Sequence, residues 1–593
     1  MFFILSTRSN FFVLEGDNVM RLSHIHISNY RNIDDISVDF HPESNYIIGE
    51  NNLGKSNFLT LLGLICNAKS FEETDFTISD KPIEITITLK LLPEEQGFFG
   101  DNFSPENSNF LTIRYTQAIS EAHPTIISSN TGESIQSKQL KKIHFLKYDT
   151  NAVPGRVLRL DTSRGAGLIV NSIIRRYIAE KGNTNFLNGE KVDALTTFIN
   201  DHLSKIRSFN DYDIKAKISD DASEMLSRLF YLSDGERKID NTGSGVQFMA
   251  MASINILCQI MEIYKSKAFP FEEQLYVKED GEKILPLVLA IDEPEVHLHP
   301  FLQRALIGYY KRILNNEDDK FKDLLKMCFG IDGIDGQLLI VTHSTDILID
   351  DYRNLIRFYK AEDKTRITSG FKLRLTDMNE KHLLMHFPEI KEAFYAHCVV
   401  LIEGETEYGC ITGFANKLGI SLDEHAISVI NARGENSIKP LRRLLESFNI
   451  PSISIYDGDV KQGQFPGERE FFTNELCFEI EIVKNLVRHG KMDLVKKIVQ
   501  EMDKDGENVL LDREFVRKYF KKIGLDISTY IPKKLADVSI EDTTDFCNMY
   551  STWYMVKKGI LLGRIIGNLL PKDLIPECYA NAIIKAKEVA TNV

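Results

Sequence analysis

Two groups of residues in this sequence have the types and spacing for phosphate chemistry. Gly49-Glu50-Asn51-Asn52-Leu53-Gly54-Lys55-Ser56 fits the pattern GxxxxGK[ST]. In such a loop the glycines let backbone N–H groups converge on phosphates, Lys55 offers a point charge to the outer ones, and the Ser56 hydroxyl can hold Mg²⁺ at a helix N-terminus. Asp292 and Glu293 follow an apolar run ending at Ile291, so one carboxylate can reach that metal through water while the other orients the attacking water. His343, after the next apolar run, can reach a γ-phosphate. Asn241 to Gln247 (NTGSGVQ) supplies a second glycine-rich helix start, for a phosphate bound in trans.

The second group is acidic. Glu403 ends the run VVLI within IEGETE, Gly404 allows a tight turn, and Glu407 lies one helical turn further on the same face. Asp457-Gly458-Asp459 ends the run SISIY. Carboxylates crowded this closely repel one another unless a divalent cation neutralises them, and hard oxygen ligands suit Mg²⁺ or Mn²⁺.

These residues need strands and helices to present them. Apolar alternation predicts strands over Leu22–Ile27, Ile36–Phe40 and Tyr46–Ile48, the last running into the glycine loop, with a helix from Asn57 to Ala68 after it. Strict alternation from Ile83 to Leu91 predicts a half-exposed strand. Continuous apolar runs at Leu285–Ile291 and Gln337–Val341, and again at Val399–Ile402 and Ser452–Tyr456, predict strands buried in parallel sheets, the last two as neighbours. The stretch from 150 to 240 reads as mostly helical and without a catalytic constellation, a candidate dimer or tetramer interface. The tail from 485 reads as helical and lysine-richer. The fold class is α/β. The expected layout is a leader over 1–19, an N-terminal lobe over 20–150, a helical insertion over 151–240, a C-terminal lobe over 241–394, a second sheet domain over 395–484 and its helical part over 485–593. Met20, where the regular pattern begins, is a candidate start.

Length and composition set outer limits. At about 150 residues per domain, 593 residues allow three or four domains. Hydrophobic residues at 43% and charged residues at 26% exclude a collagen, a disordered tail and a disulfide-stapled miniprotein. A formal charge of -14 repels polyphosphates at long range, so nucleic acid must be met locally. Arg517, Lys518, Lys521, Lys522, Lys533 and Lys534 are the candidate patches, although lysine runs on helices are more often solvated faces. Eight cysteines without CxxC spacing argue against a zinc knuckle and a disulfide framework. No apolar run approaches 18 residues and MFFIL is too short for a signal core, so the expectation is a cytoplasmic protein with no membrane partner.

GENNLGKSN, IDEPEVHLHP and VTHS together resemble the ABC-type ATPase heads of the RecF, SMC and OLD families of DNA-maintenance proteins. The resemblance implies ATP held between two heads, with Gly49, Asn51, Asn52, Gly54, Lys55, Ser56, Asn57 and Asp292 on one side. Ser244, Gly245 and Gln247 of the partner head would complete that site. Arg31 in NYRN matches the family's N-terminal basic residue near the nucleotide. The 237 residues from Lys55 to Asp292 are too few and too irregular for SMC coiled-coil arms. A transporter ATPase places its two motifs much closer together.

LIEGETE followed by YDGDV resembles the TOPRIM domain of topoisomerases, primases and OLD nucleases, in which Glu403, Glu407, Asp457 and Asp459 would bind catalytic metals. ELCFEIE resembles an extra acidic strand of OLD nucleases, with Glu479 or Glu481 completing a second metal site and Cys477 standing where an aspartate is common. Lys557 in WYMVKKGIL matches a late basic residue that offsets charge on the attacked phosphate, and Lys558 competes for that role. An ABC-type head followed by TOPRIM is the arrangement of OLD nucleases, Gabija-type antiphage effectors included. It implies an ATP-regulated, metal-dependent DNA endonuclease, a homodimer or homotetramer, with a helicase or a reverse transcriptase and its retron DNA as partner. The rivals are a DNA-tethering ATPase with a non-cutting TOPRIM, and a topoisomerase-like or primase-like nucleotidyl enzyme.

Overall fold

The computed structural model describes residues 20–92, 95, 99–100, 102, 109–148, 157–160, 165–181, 189–218, 230–266, 270–296, 298–348, 352–460 and 467–591. The leader over 1–19 and the side chain of Ser244 lie outside the described residues. The chain divides into two compact units, Met1–Lys372 and Leu373–Val593.

The first unit opens with strands β1 (Arg21–Ser28), β2 (Ile36–Asp39) and β3 (Ser44–Gly49), followed by helix α1 (Lys55–Cys66). β4 (Ile83–Lys90), β5 (Phe110–Gln117) and β6 (Thr125–Ser128) join the first two in an antiparallel sheet of order β2-β1-β4-β5-β6. In β4 the isoleucines at 83, 85 and 87 and Leu89 are buried while their neighbours face outward, as the period-two alternation requires. β3, buried along its whole length, goes elsewhere. With β7 (His144–Tyr148), β12 (Lys283–Asp292), β13 (Gly333–Val341) and β14 (Leu355–Ala361) it builds the parallel part of a larger sheet, to which β11 (Tyr276–Val277) and β15 (Lys364–Ser369) add antiparallel strands. That order sets the ends of β3, β12 and β13, and therefore the glycine loop, Asp292 and Thr342, side by side.

Two expectations for this unit need correcting. The stretch from 150 to 240 does hold helices Ala166–Lys181 and Gly189–Leu203, but it also holds β8 (Ile214–Ile218), β9 (Phe230–Asp234) and β10 (Arg237–Lys238), a three-stranded antiparallel sheet. Ile214 and Ala216 are buried between exposed or half-buried lysines, a strand period in a segment read as helical. Secondly, helix α2 (Ser244–Tyr264) is long and apolar enough over Gly245–Tyr264 to cross a membrane, with mean hydropathy 1.4. Ser253, Asn255 and Gln259 interrupt the run, which hid it. Two-thirds of that window is buried inside the protein, as for a core helix apolar on all sides.

In the second unit β16 (Cys398–Ile402), β17 (Ile427–Asn431), β18 (Ser452–Tyr456) and β19 (Glu470–Phe472) form a parallel sheet of order β17-β16-β18-β19. β16 and β18 are neighbours in register, Val400 opposite Ile453, so the acids at their carboxyl ends meet at one edge. Of helices α3 (Glu405–Leu418), α4 (Phe478–Arg488), α5 (Thr543–Val556), α6 (Ile560–Leu569) and α7 (Glu577–Thr591), α3 and α7 pack on the sheet, α6 packs on α3, and α4 packs on α5. The Glu475–Glu481 segment is not a strand. Phe478, Ile482, Val483 and Leu486 recur at helical spacing and are all buried, and α4 begins at Phe478 with Cys477 as its N-cap. The tail is helical apart from a short ribbon of β20 (Leu510–Leu511) and β21 (Lys533–Lys534). This unit has its own core, with Trp553, Tyr554, Phe414 and Tyr579 fully enclosed.

Candidate nucleotide and metal sites

At the end of β3 the backbone of Gly49 has φ +133°, and a Cβ there would stand 2.1 Å from the Phe358 carbonyl oxygen. Only glycine fits. The loop then closes on α1, whose first residue is Lys55. This ammonium is buried and donates to the Gly49 carbonyl oxygen at 2.9 Å and to that of Glu50. Burial lowers its pKa to about 8 against the pull of Glu293 and Asp292. A cation held among carbonyls at this desolvation cost fits an incoming phosphate. The Ser56 hydroxyl donates to Asp292 Oδ1 at 3.2 Å, and Lys147 Nζ stands 3.8 Å from Asp292 Oδ2. Arg31 donates to Asn57 Oδ1 at 2.7 Å and to Asp75 Oδ1 at 2.8 Å. Asn51 and Asn52 sit on the exposed tip of the loop.

Glu293 has φ +52°, a left-handed conformation that is uncommon outside glycine and clusters at functional sites. Its carboxylate is 3.9 Å from His343 Nε2. Burial, helped by Lys55, lowers the His343 pKa. Glu295 was missed by sequence reasoning. Half-buried, it accepts the His343 backbone N–H at 2.6 Å and the Thr342 hydroxyl at 2.9 Å, and so fixes the His343 loop. Its acid after IDEP in the motif was the available signal. The NTGSGVQ segment starts α2 as expected, but Gln247 donates to the carbonyls of Ile239, Asp240 and Thr242 and so clamps its own turn. Gly245 packs under Leu302.

In the second unit Glu403, Glu407, Asp457 and Glu479 line one cavity of 470 Å³, together with Arg433 and Lys558. Asp457 N–H donates to Glu403 Oε2 at 3.4 Å, and Phe478 N–H donates to Asp457 Oδ1 at 3.1 Å. Glu407 is fully enclosed and accepts the Gly404 N–H at 2.5 Å and the Tyr579 hydroxyl at 2.8 Å. Thr406 donates its hydroxyl to Glu479 Oε1 at 2.8 Å and accepts the Gly559 N–H at 3.1 Å. Burial first, then the neighbouring Glu403 and Glu479, push Asp457 up to about 8. Burial and Asp457 push Glu407 well above its ordinary value, and burial raises Glu403 as well.

The other acids are placed differently. Asp459, just outside, pairs with Lys522 at 3.0 Å. Glu479 and Glu481 sit two apart in the first turn of α4 and cannot share a face. Glu479 enters the cavity, while Glu481 accepts the Glu475 N–H at 2.8 Å and holds its own turn. Lys557 is 3.9 Å from Asp503, and its neighbour Lys558 is the one that lines the cavity. Among the described residues no group of three or more His, Cys, Asp or Glu side chains is set to hold a metal ion as it stands. The donor chemistry fits a hard divalent cation, because four carboxylates share one cavity and three have raised pKa values there. Glu403, Asp457 and Glu479 each engage one carboxylate oxygen in the hydrogen bonds above.

Comparison with known proteins accounts for both halves. A family model described as an AAA ATPase domain matches residues 20–157 and 168–348, more than half of the chain, and one described as an overcoming lysogenization defect protein-like TOPRIM domain matches 394–459. The chain belongs to the OLD family. Its fold is accordingly an ABC-type ATPase head followed by a TOPRIM domain. The Old nuclease of Escherichia phage P2 is 22% identical to this OLD-family chain over 493 residues, 74% of this chain and 77% of that protein. The DNA replication and repair protein RecF of Staphylococcus epidermidis is 43% identical over 51 residues, 9% of this chain, which spans 14% of the RecF length. The C-terminal region of the Xanthomonas campestris pv. campestris OLD protein covers 34% of this chain and 96% of its own, at 18% identity and a TM-score of 0.23.

Proposed function

We propose that this OLD-family protein is a metal-dependent DNA endonuclease whose cutting is regulated by ATP at the ABC-type head, acting in antiphage defence as a homodimer or homotetramer. The observation that carries the reading is the shared cavity of Glu403, Glu407, Asp457 and Glu479, where burial and mutual repulsion hold carboxyls protonated that a bound cation would let ionise. Glu403, Asp457 and Glu479 are assigned as ligands for Mg²⁺ or Mn²⁺, with Asp459 joining once Lys522 releases it. Glu407 and Tyr579 brace the site from beneath. Bound divalent ions supply Lewis acidity toward water and the phosphodiester. Lys558, at the rim, offsets charge developing on the attacked phosphate, a role the sequence pattern gave first to Lys557. In the head, Lys55 and Ser56 take the ATP phosphates and their Mg²⁺, while Glu293 and His343 orient the attacking water.

The test is plasmid nicking with Mg²⁺ or Mn²⁺ by wild type, Glu403→Ala and Asp457→Ala. The expected outcome is cutting by wild type and loss of at least about a hundredfold in each variant, the scale of removing a metal-site group. Equal cutting by all three removes the assignment. ATP turnover without cutting by any of them favours a DNA-tethering ATPase instead.

A further inference from the structure

The helix Arg513–Ile523 (REFVRKYFKKI) carries five basic residues and one acid. Its apolar face is committed, with Val516, Tyr519 and Phe520 buried. The opposite face exposes Arg517, Lys518, Lys521 and Lys522. Arg513 is tied to the Ser528 and Tyr530 carbonyls, so it anchors the helix. Among the described residues Arg517, Lys518 and Lys521 have no ion pair, on a chain with 85 acidic residues and a net charge of -14. Lys522 does have one, and it fixes the direction of the track: its ammonium lies 3.0 Å from Asp459, two residues from Asp457 in the carboxylate cavity.

We infer that the exposed face of this helix is a positioning track for the sugar-phosphate backbone of DNA, delivering the strand to the carboxylate cavity with Lys522 as its inner end. This rests on the reading of that cavity as the cutting site. From Arg517 to Lys522 the helix rises about 7.5 Å at 1.5 Å per residue, which spans about two phosphate-to-phosphate steps of one strand at 3.4 Å each and so reaches about three phosphates. Unpaired lysines and an arginine recognise phosphate charge without reading sequence, so the track sets position and not base preference. The field of the whole molecule repels DNA, and three uncompensated cations beside the acids concentrate the attraction where a strand must lie.

Binding of a short fluorescent duplex to the full chain is measured in EDTA, where metal-dependent cutting is absent, across a salt series. The proteins are wild type, Arg517→Glu/Lys518→Glu/Lys521→Glu, and the milder Arg517→Gln/Lys518→Gln/Lys521→Gln, with circular dichroism to check folding. Wild type binds. The glutamine variant weakens binding about tenfold or more and lowers the slope of log K against log salt by about 2 to 3, at about 0.9 per phosphate contact. The glutamate variant weakens it further. Unchanged affinity and slope in the folded glutamine variant overturn the track, as does a wild type that binds no duplex at low salt. Wild-type nicking read separately tells the two ideas apart. Nicking with an unaffected glutamine variant sinks the track alone, and salt-dependent binding through these residues without nicking sinks the cutting site alone.

Discussion

Lys55 and Asp457 have had their charge made costly by burial, in opposite senses. Lys55, at about 8, loses its proton just above neutrality. ATP affinity is therefore expected to fall as pH rises through 8, by isothermal titration, and Lys55→Ala to abolish binding at every pH while leaving divalent-ion binding by the second unit unchanged. Asp457 has its folded pKa raised to about 8 from an ordinary value near 3.8, so the stability tied to its protonated form is full below about 4 and is lost as pH climbs through 8. Melting curves in chelator from pH 4 to 9 are expected to show falling Tm, and Asp457→Asn, which keeps the acceptor for the Phe478 N–H, to flatten that fall. The acids at 403 and 457 were legible in sequence because each follows an apolar run whose end is fixed by burial, Glu407 because it lies one helical turn further, and Lys55 because of the glycine-loop pattern. Tyr579 and Thr406 were not, since a hydroxyl supporting a carboxylate from another helix leaves no local pattern.

Elements were readable where one period dominated. β3, β4, β12, β13, β16 and β18 all stand where apolar alternation or continuous runs placed them. The failures were β8 to β10 and α4, short segments in which a local alternation such as IKAKI or FEIEI does not by itself choose between strand and helix, and long-range pairing or burial decides the outcome. A less visible relation joins α3 and α6. A Cβ on Gly563 would stand 2.0 Å from the Thr406 carbonyl oxygen, and one on Gly413 would stand 2.7 Å from the Gly567 backbone. Glycines at four-residue spacing in both helices, 409 and 413 against 559, 563 and 567, were the signal, and it identifies a partner only once both helices are known. Gly563→Ala is expected to destabilise the protein by about 1–3 kcal/mol through overpacking, roughly 2–4 °C of Tm per kcal/mol, and to reduce nicking by displacing Lys558. Calorimetry together with the plasmid assay checks both.

At the scale of the whole molecule, the apolar cores of the two units share no residue among the described residues. Residues 373–593 alone are therefore expected to melt in one cooperative transition and to bind Mn²⁺, both measurable by calorimetry. A fragment without a sharp transition would show that its core depends on the head. Thr406 has a consequence of its own for this unit. One hydroxyl both donates a hydrogen bond to an acid of α4 and accepts one from the turn that carries Lys558. The anionic wall and the cationic rim of the cavity are thereby geared to each other, and a push on either is transmitted through a single oxygen atom.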